Sequence, residues 1–175
     1  IKMVEHDPEQ LWVERAVNDY VEAANIARSC KQWDLVNINL ARAKNIALNM
    51  TKQLGADRQT IGFSMLAKLN LDAAQVYGER NNSDLCYRNI VYALINLNKK
   101  RTSCRSEEKK DSFIRAYETA EKGTEYLLES STDQRANYVR TSLLQYNMVI
   151  AALRLTELDV SYANFWKEKV IESCE

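Results

Sequence analysis

Glu22-Ala23-Ala24-Asn25-Ile26 and Asp72-Ala73-Ala74-Gln75-Val76 lie 50 residues apart and match in character position by position. The match continues downstream. Asp34-Leu35 falls on Asp84-Leu85, Asn39-Leu40 on Asn89-Ile90, and Ala43 on Ala93. A further offset of 75 places Asp159-Val160 and Asn164-Phe165 on the same pattern. The unit reads as small residues late in one helix, a short turn, an Asp that opens the next helix, an apolar residue, and then Asn with a large apolar neighbour. Small residues let antiparallel helices approach closely, Asp caps the second helix, and the apolar residue after it fixes the angle of the pair. Self-similarity at a fixed spacing points to stacked units of one kind.

The apolar spacing on either side is helical almost throughout. It predicts helices over 8–29, 33–53, 57–80, 84–101, 107–129, 132–157 and 159–173. Asp7 with Pro8 suits the first N-terminus, Gly55 a left-handed stop for the second helix, and Asp57 the start of the third. Ser106 is placed to cap the fifth, and Ser131 with Gln134 forms a capping box for the sixth. The run Leu143 to Leu155 is apolar on more than one face, as in a helix buried between neighbours. The stretch Lys99–Lys110 is the most polar in the chain and reads as a mobile connection.

Composition agrees. The 175 residues include 4 Gly and 1 Pro, against about 12 and about 9 at average usage. That scarcity argues against sandwiches, barrels and glycine-cradled nucleotide sites, which need tight turns. A 46% hydrophobic share is that of a folded chain. Short connections between such helices make neighbours antiparallel. The expected architecture is therefore all-α, one domain over 1–175, with about seven antiparallel helices. It also fits a piece of a longer helical-repeat protein. The helices either stack in pairs as a solenoid or close into a bundle.

Three segments, Ala23–Ala47, Ala73–Leu97 and Ala151–Ile171, resemble the tetratricopeptide (TPR) repeat family. The third carries Glu157-Leu158-Asp159-Val160-Ser161-Tyr162-Ala163-Asn164-Phe165, with an acidic turn, an aromatic and a small residue in the family's order. The spacings of 50 and 75 depart from the family's 34, the helices are longer, and the closing Pro is missing. The resemblance implies TPR-like helical hairpins in a right-handed α-solenoid, and a concave groove that holds a partner peptide or helix.

Chemistry is hard to find. With 24 basic and 24 acidic residues the chain is neutral, so no global field draws it to nucleic acid or anionic membrane. His6 is the single imidazole. No Gly-rich phosphate loop, dinucleotide fingerprint or nucleophile elbow occurs, and no Glu-x-x-His pair for a di-iron centre. Carboxylate pairs such as Glu118 with Glu121, and Glu107 with Glu108, read as solvated helix faces, and Glu118 faces Lys122 one turn on. No catalytic residue, cofactor or metal is expected. Cys30, Cys86, Cys104 and Cys174 lack Cys-x-x-Cys spacing and read as free thiols of an intracellular, cytoplasmic or nuclear protein. No apolar run could span a bilayer. Trp12, Trp33 and Trp166 read as core.

Two sets of residues remain. Ten Asn side chains between Asn18 and Asn98 fall inside expected helices, although Asn is a poor helix former. Asn25, Asn39, Asn70 and Asn89 are the candidates for a groove whose amides grip a peptide backbone. Lys99, Lys100, Arg101 and Arg105 form the densest basic run and a candidate contact for an anionic protein or nucleic acid. The leading expectation is a non-enzymatic protein-interaction scaffold. A self-associating structural bundle and an RNA-binding repeat domain using 99–110 are the alternatives.

Overall fold

The structure, a computed structural model, describes residues 8–53, 55–104, 106–130 and 133–174. Among these residues lie seven α-helices and no strand: α1 (Pro8–Ser29), α2 (Trp33–Thr51), α3 (Ala56–Glu79), α4 (Ser83–Ser103), α5 (Ser106–Glu129), α6 (Gln134–Leu158) and α7 (Ala163–Glu172). The expected segments fall close to these. The exception is the last, which opens as a 3-10 turn over Val160–Tyr162 before α7 begins. None of the helices is long and apolar enough to cross a membrane.

The first two hairpins close identically. Lys31 (φ 56°) and Asn81 (φ 54°) both take the left-handed conformation. Gln32 N–H bonds Ala27 O at 2.9 Å and Lys31 N–H bonds Arg28 O at 2.9 Å. Asn82 N–H to Tyr77 O and Asn81 N–H to Gly78 O repeat both distances 50 residues later. This pair of bonds is a Schellman closure, which satisfies carbonyls that the helix end leaves without partners. It also moves the cap. The N-cap residues are Gln32 and Asn82, so Asp34 and Asp84 sit inside the first turn, where a carboxylate favours the helix dipole rather than capping.

The same register governs burial. In α2, Val36, Leu40, Ala43, Ala47 and Met50 are buried; in α4, Cys86, Ile90, Ala93, Leu97 and Lys100 are buried at an offset of 50. In α6, Asn137, Thr141, Leu144, Met148 and Ala151 follow at 51. Among the first helices, α3 and α5 keep the offset of 50. Gly62, Ala67, Leu69, Asn70 and Ala73 of α3 are buried, and so are Ser112, Tyr117, Thr119, Ala120 and Gly123 of α5. The extra residue lies in the connection after α5, four residues long against three in the earlier hairpins.

This corrects the third unit. It is the hairpin α5–α6, not the segment Ala151–Ile171, which joins the end of α6 to α7. Asp159 differs from Asp34 and Asp84: it is buried, its Oδ2 is 2.7 Å from Lys110 Nζ, and it accepts a 3.5 Å bond from Trp166 Nε1. Asp34 is exposed, and Asp84 pairs with Arg140 at the surface.

Each helix packs on its chain neighbours, α3 also packs on α5, and the first hairpin has no extensive contact with α6 or α7. The core is accordingly two clusters in sequence. One joins α1–α3 around Val36, Ala43 and Leu69; the other joins α3–α7 around Ile90, Leu127, Leu144 and Leu155. Tyr77 packs against both. Glycine is required where helices cross closely: a Cβ on Gly123 would meet Ile90 side-chain atoms at 2.8–3.1 Å. Trp166 is core, edge-on to Tyr117 at 5.9 Å. Trp12, also expected inside, is 69% exposed.

Several expected positions lie outside the described residues: the caps Asp7 and Ser131, the Ser106 side chain, and Arg105 of the basic run. His6 is outside as well. Asp133 takes the cap before α6, its Oδ1 accepting Ala136 N–H at 3.2 Å. Gly55 (φ 123°) precedes α3 rather than stopping α2. Most of Lys99–Lys110 is helix, with Lys99–Ser103 ending α4 and 106–110 opening α5.

Candidate functional site

The register brings polar residues of α1, α3 and α5 into rows. Asn18, Lys68 and Glu118 form one row at the offset of 50; Glu22, Asp72 and Lys122 form the next; Asn25, Gln75 and Glu125 form the third. On each helix the three positions are spaced i, i+4, i+7 and so share a face. Asp72 and Gln75 are half-buried and the rest are exposed.

Crevices run beneath these rows. One of about 290 Å³ separates α1 from α3, one of about 340 Å³ reaches from α1 and α3 down to α2, and one of about 390 Å³ lies between α3 and α5. Lys68 lines all three. The first two exist because α1 and α3 both pack on α2 with little contact to each other. Two links tie the wall together. Arg28 donates from Nε to Glu79 Oε2 at 2.8 Å and from its second nitrogen to Oε1, and Arg115 Nη1 donates to Ser64 Oγ at 3.2 Å.

Asp72 is the electrostatic centre. Its Oδ2 is buried and accepts no hydrogen bond. Burial pushes its carboxyl above the usual range, and Lys68, Arg28, Lys44 and Lys122 only partly offset this. Lys44 responds in kind: burial lowers its ammonium to about 8 against the pull of Asp72. Its Nζ donates to Asn89 Oδ1 at 2.9 Å. A carboxylate oxygen without a donor, facing amides and cations, suits a ligand that brings its own N–H.

The sequence candidates divide. Asn25 lines the 340 Å³ crevice. Asn70 is buried and donates to Leu66 O at 2.8 Å; Asn89 is buried, donates to Leu85 O and receives Lys44. Asn39 is half-buried on α2 and lines none of the crevices described. Much of the helical Asn is thus structural: Asn70, Asn89, Asn96 and Asn147 each bond the carbonyl four residues back. The basic run also divides. Lys100 is buried against Asp111 at 2.8 Å. Burial alone would raise Asp111, but Lys100 and Arg115 hold it below the usual carboxylate range. Lys99 lies 5.8 Å from the Phe63 ring centre, and Arg101 lies over Phe113. Asn18, Lys68, Asp72, Gln75 and Lys122 were not singled out from sequence. Their signal is the shared offset of 50, readable only once the register is fixed.

Among the described residues no group of three or more His, Cys, Asp or Glu is placed to hold a metal. No family model, curated protein or solved structure matches this chain.

Proposed function

We propose that this chain is a non-catalytic binding domain, a TPR-like right-handed stack of helical hairpins whose first helices line the concave side. An extended segment of a partner protein lies across α1, α3 and α5. Its backbone N–H groups meet Asp72, its carbonyls meet Asn18, Asn25 and Gln75, and its side chains enter the crevices. Stacked hairpins expose extended surfaces of this kind. The observation that carries the reading is the buried Asp72 oxygen, which accepts no hydrogen bond, at the centre of polar side chains in register across three helices.

The test is selection of binders from a displayed random-peptide library on the wild-type domain, followed by affinity measurement on variants. Peptides selected on wild type should lose at least tenfold on Lys68→Ala and on Asp72→Asn. They should retain affinity on Asn39→Ala, which lies off the trough. Equal affinity for wild type and a combined Asn18, Asn25, Lys68, Gln75 to Ala variant would refute the groove.

A further inference from the structure

A fourth cleft, of about 440 Å³, lies between α4 and α6, with α5 as its floor. It opens because α4 and α6 both pack on α5 and have no extensive backbone contact with each other. Its walls are mostly apolar, from residues such as Leu94, Phe113, Leu144 and Ile150; Asn98 and Arg101 line it from the end of α4, and Asn147 from α6. An apolar cleft of this size with few convergent polar groups has the make-up of a small-molecule site.

Arg101 gives the ligand its chemistry. The side chain is half-buried, its guanidinium 4.6 Å from the Phe113 ring centre and donating to Asn98 Oδ1. It makes no ion pair among the described residues, whereas the adjacent Lys100 is matched by Asp111. The carbonyls ending α4 favour a cation here, but they do not offer the paired acceptors that a planar guanidinium fits. Asn98 Nδ2 stands beside it as a further donor. We propose that this cleft binds an amphiphilic carboxylate, the head on Arg101 and Asn98 and the alkyl tail between Leu94, Leu144 and Ile150. The cleft's size is that of small-molecule sites, and a ten-carbon acid is the probe.

The experiment is calorimetric titration of the full chain with decanoate below its micelle threshold, with decanol and decylammonium in parallel. Decanoate should bind saturably, one per chain, with decanol and decylammonium at least tenfold weaker. Arg101→Gln should cost decanoate at least tenfold and leave decanol unchanged. Methyl NMR reads the site without any variant: decanoate should shift Ile95, Ile150 and Leu144 and leave Ile26 and Leu40 in place. Non-saturating binding, equal affinity for decylammonium, an unchanged decanoate affinity in folded Arg101→Gln, or shifts at Ile26 and Leu40 instead would each overturn the assignment.

Discussion

The hairpins α1–α2 and α3–α4 share a turn down to its backbone hydrogen bonds, while α5–α6 reaches the same burial register through a longer connection and another cap. In the first two, a left-handed residue precedes the N-cap. In the third, Asp133 (φ 43°) is itself left-handed and also caps. The residues filling equivalent buried positions differ as much: Leu40, Ile90 and Thr141, or Val36, Cys86 and Asn137. What repeats is therefore which positions are covered, not what covers them. The neighbouring helix creates a demand for small or satisfied side chains, and Asn137 meets it by donating to Leu127 O at 3.1 Å.

The row Leu40, Ile90, Thr141 breaks the comparison most sharply. Ile90 is fully buried and packed on Gly123, so Ile90→Ala should cost about 4 kcal/mol; Leu40→Ala should cost about 3. Thr141 bonds only its own helix, to Tyr138 O, and Thr141→Ala should cost less than about 1 kcal/mol. Urea unfolding with a constant slope checks the order. A larger loss at Thr141 than at Ile90 would deny that the third hairpin tolerates substitution at this row.

Lys44 gives the next effect. Its folded pKa of about 8 lies below the ordinary 10.5. The unfolded chain therefore holds the proton over a window where the folded chain has lost it, and stability rises with pH there. Cys86 acts in reverse: burial lifts its thiol to about 12, and stability is lost above its ordinary 9. The difference between wild type and Lys44→Met isolates the lysine. It should grow in favour of wild type by about 1–2 kcal/mol between about pH 7.5 and about pH 9.5; a flat difference would mean that Lys44 is not buried between α2 and α4.

Gly62→Ala tests the crossing of α2 and α3. A Cβ there would sit 2.9 Å from Thr51 N and 3.1 Å from Ala47 O. Overpacking against backbone should outweigh the gain in helix propensity, for a net loss of about 1 kcal/mol in a chemical melt. The smallest effect transplants one turn into the other. Asn82 Oδ1 accepts Leu85 N–H at 3.1 Å, whereas Gln32 makes no side-chain cap. Gln32→Asn should therefore stabilise by about 0.5–1 kcal/mol; no gain would mean that the two turns are less alike than their backbones.

The helices were legible in the sequence because period 3.6 is strong and turn residues are rare. The first two units were legible because Ala23-Ala24 and Ala73-Ala74 satisfy the same close approach with the same residue. The third was not, because Thr124, Asn137 and Thr141 meet equivalent demands with polar side chains, and because one inserted residue breaks a fixed offset. Asp159 drew the eye to the wrong place: it stands near a helix start as Asp84 does, but it is buried against Lys110 and Trp166. Of the residues lining the crevices between the first helices, only Asn25 is singled out for a groove by the sequence. Asn70 and Asn89 looked costly in helices, and the cost is met inside the fold by backbone carbonyls and Lys44. Lys68 and Asp72 looked ordinary, since a charged residue on a helix face is the usual solvated one.

The shared register itself is tested most directly by single cysteines in a background without the four native ones, placed at Ala43, Ala93 and Leu144 and at their neighbours Arg42, Tyr92 and Leu143. Thiol labelling of the folded chain should be blocked at 43, 93 and 144 and fast at 42, 92 and 143. Fast labelling at 144, or protection at 143, would contradict the assignment of α5–α6 as the third unit.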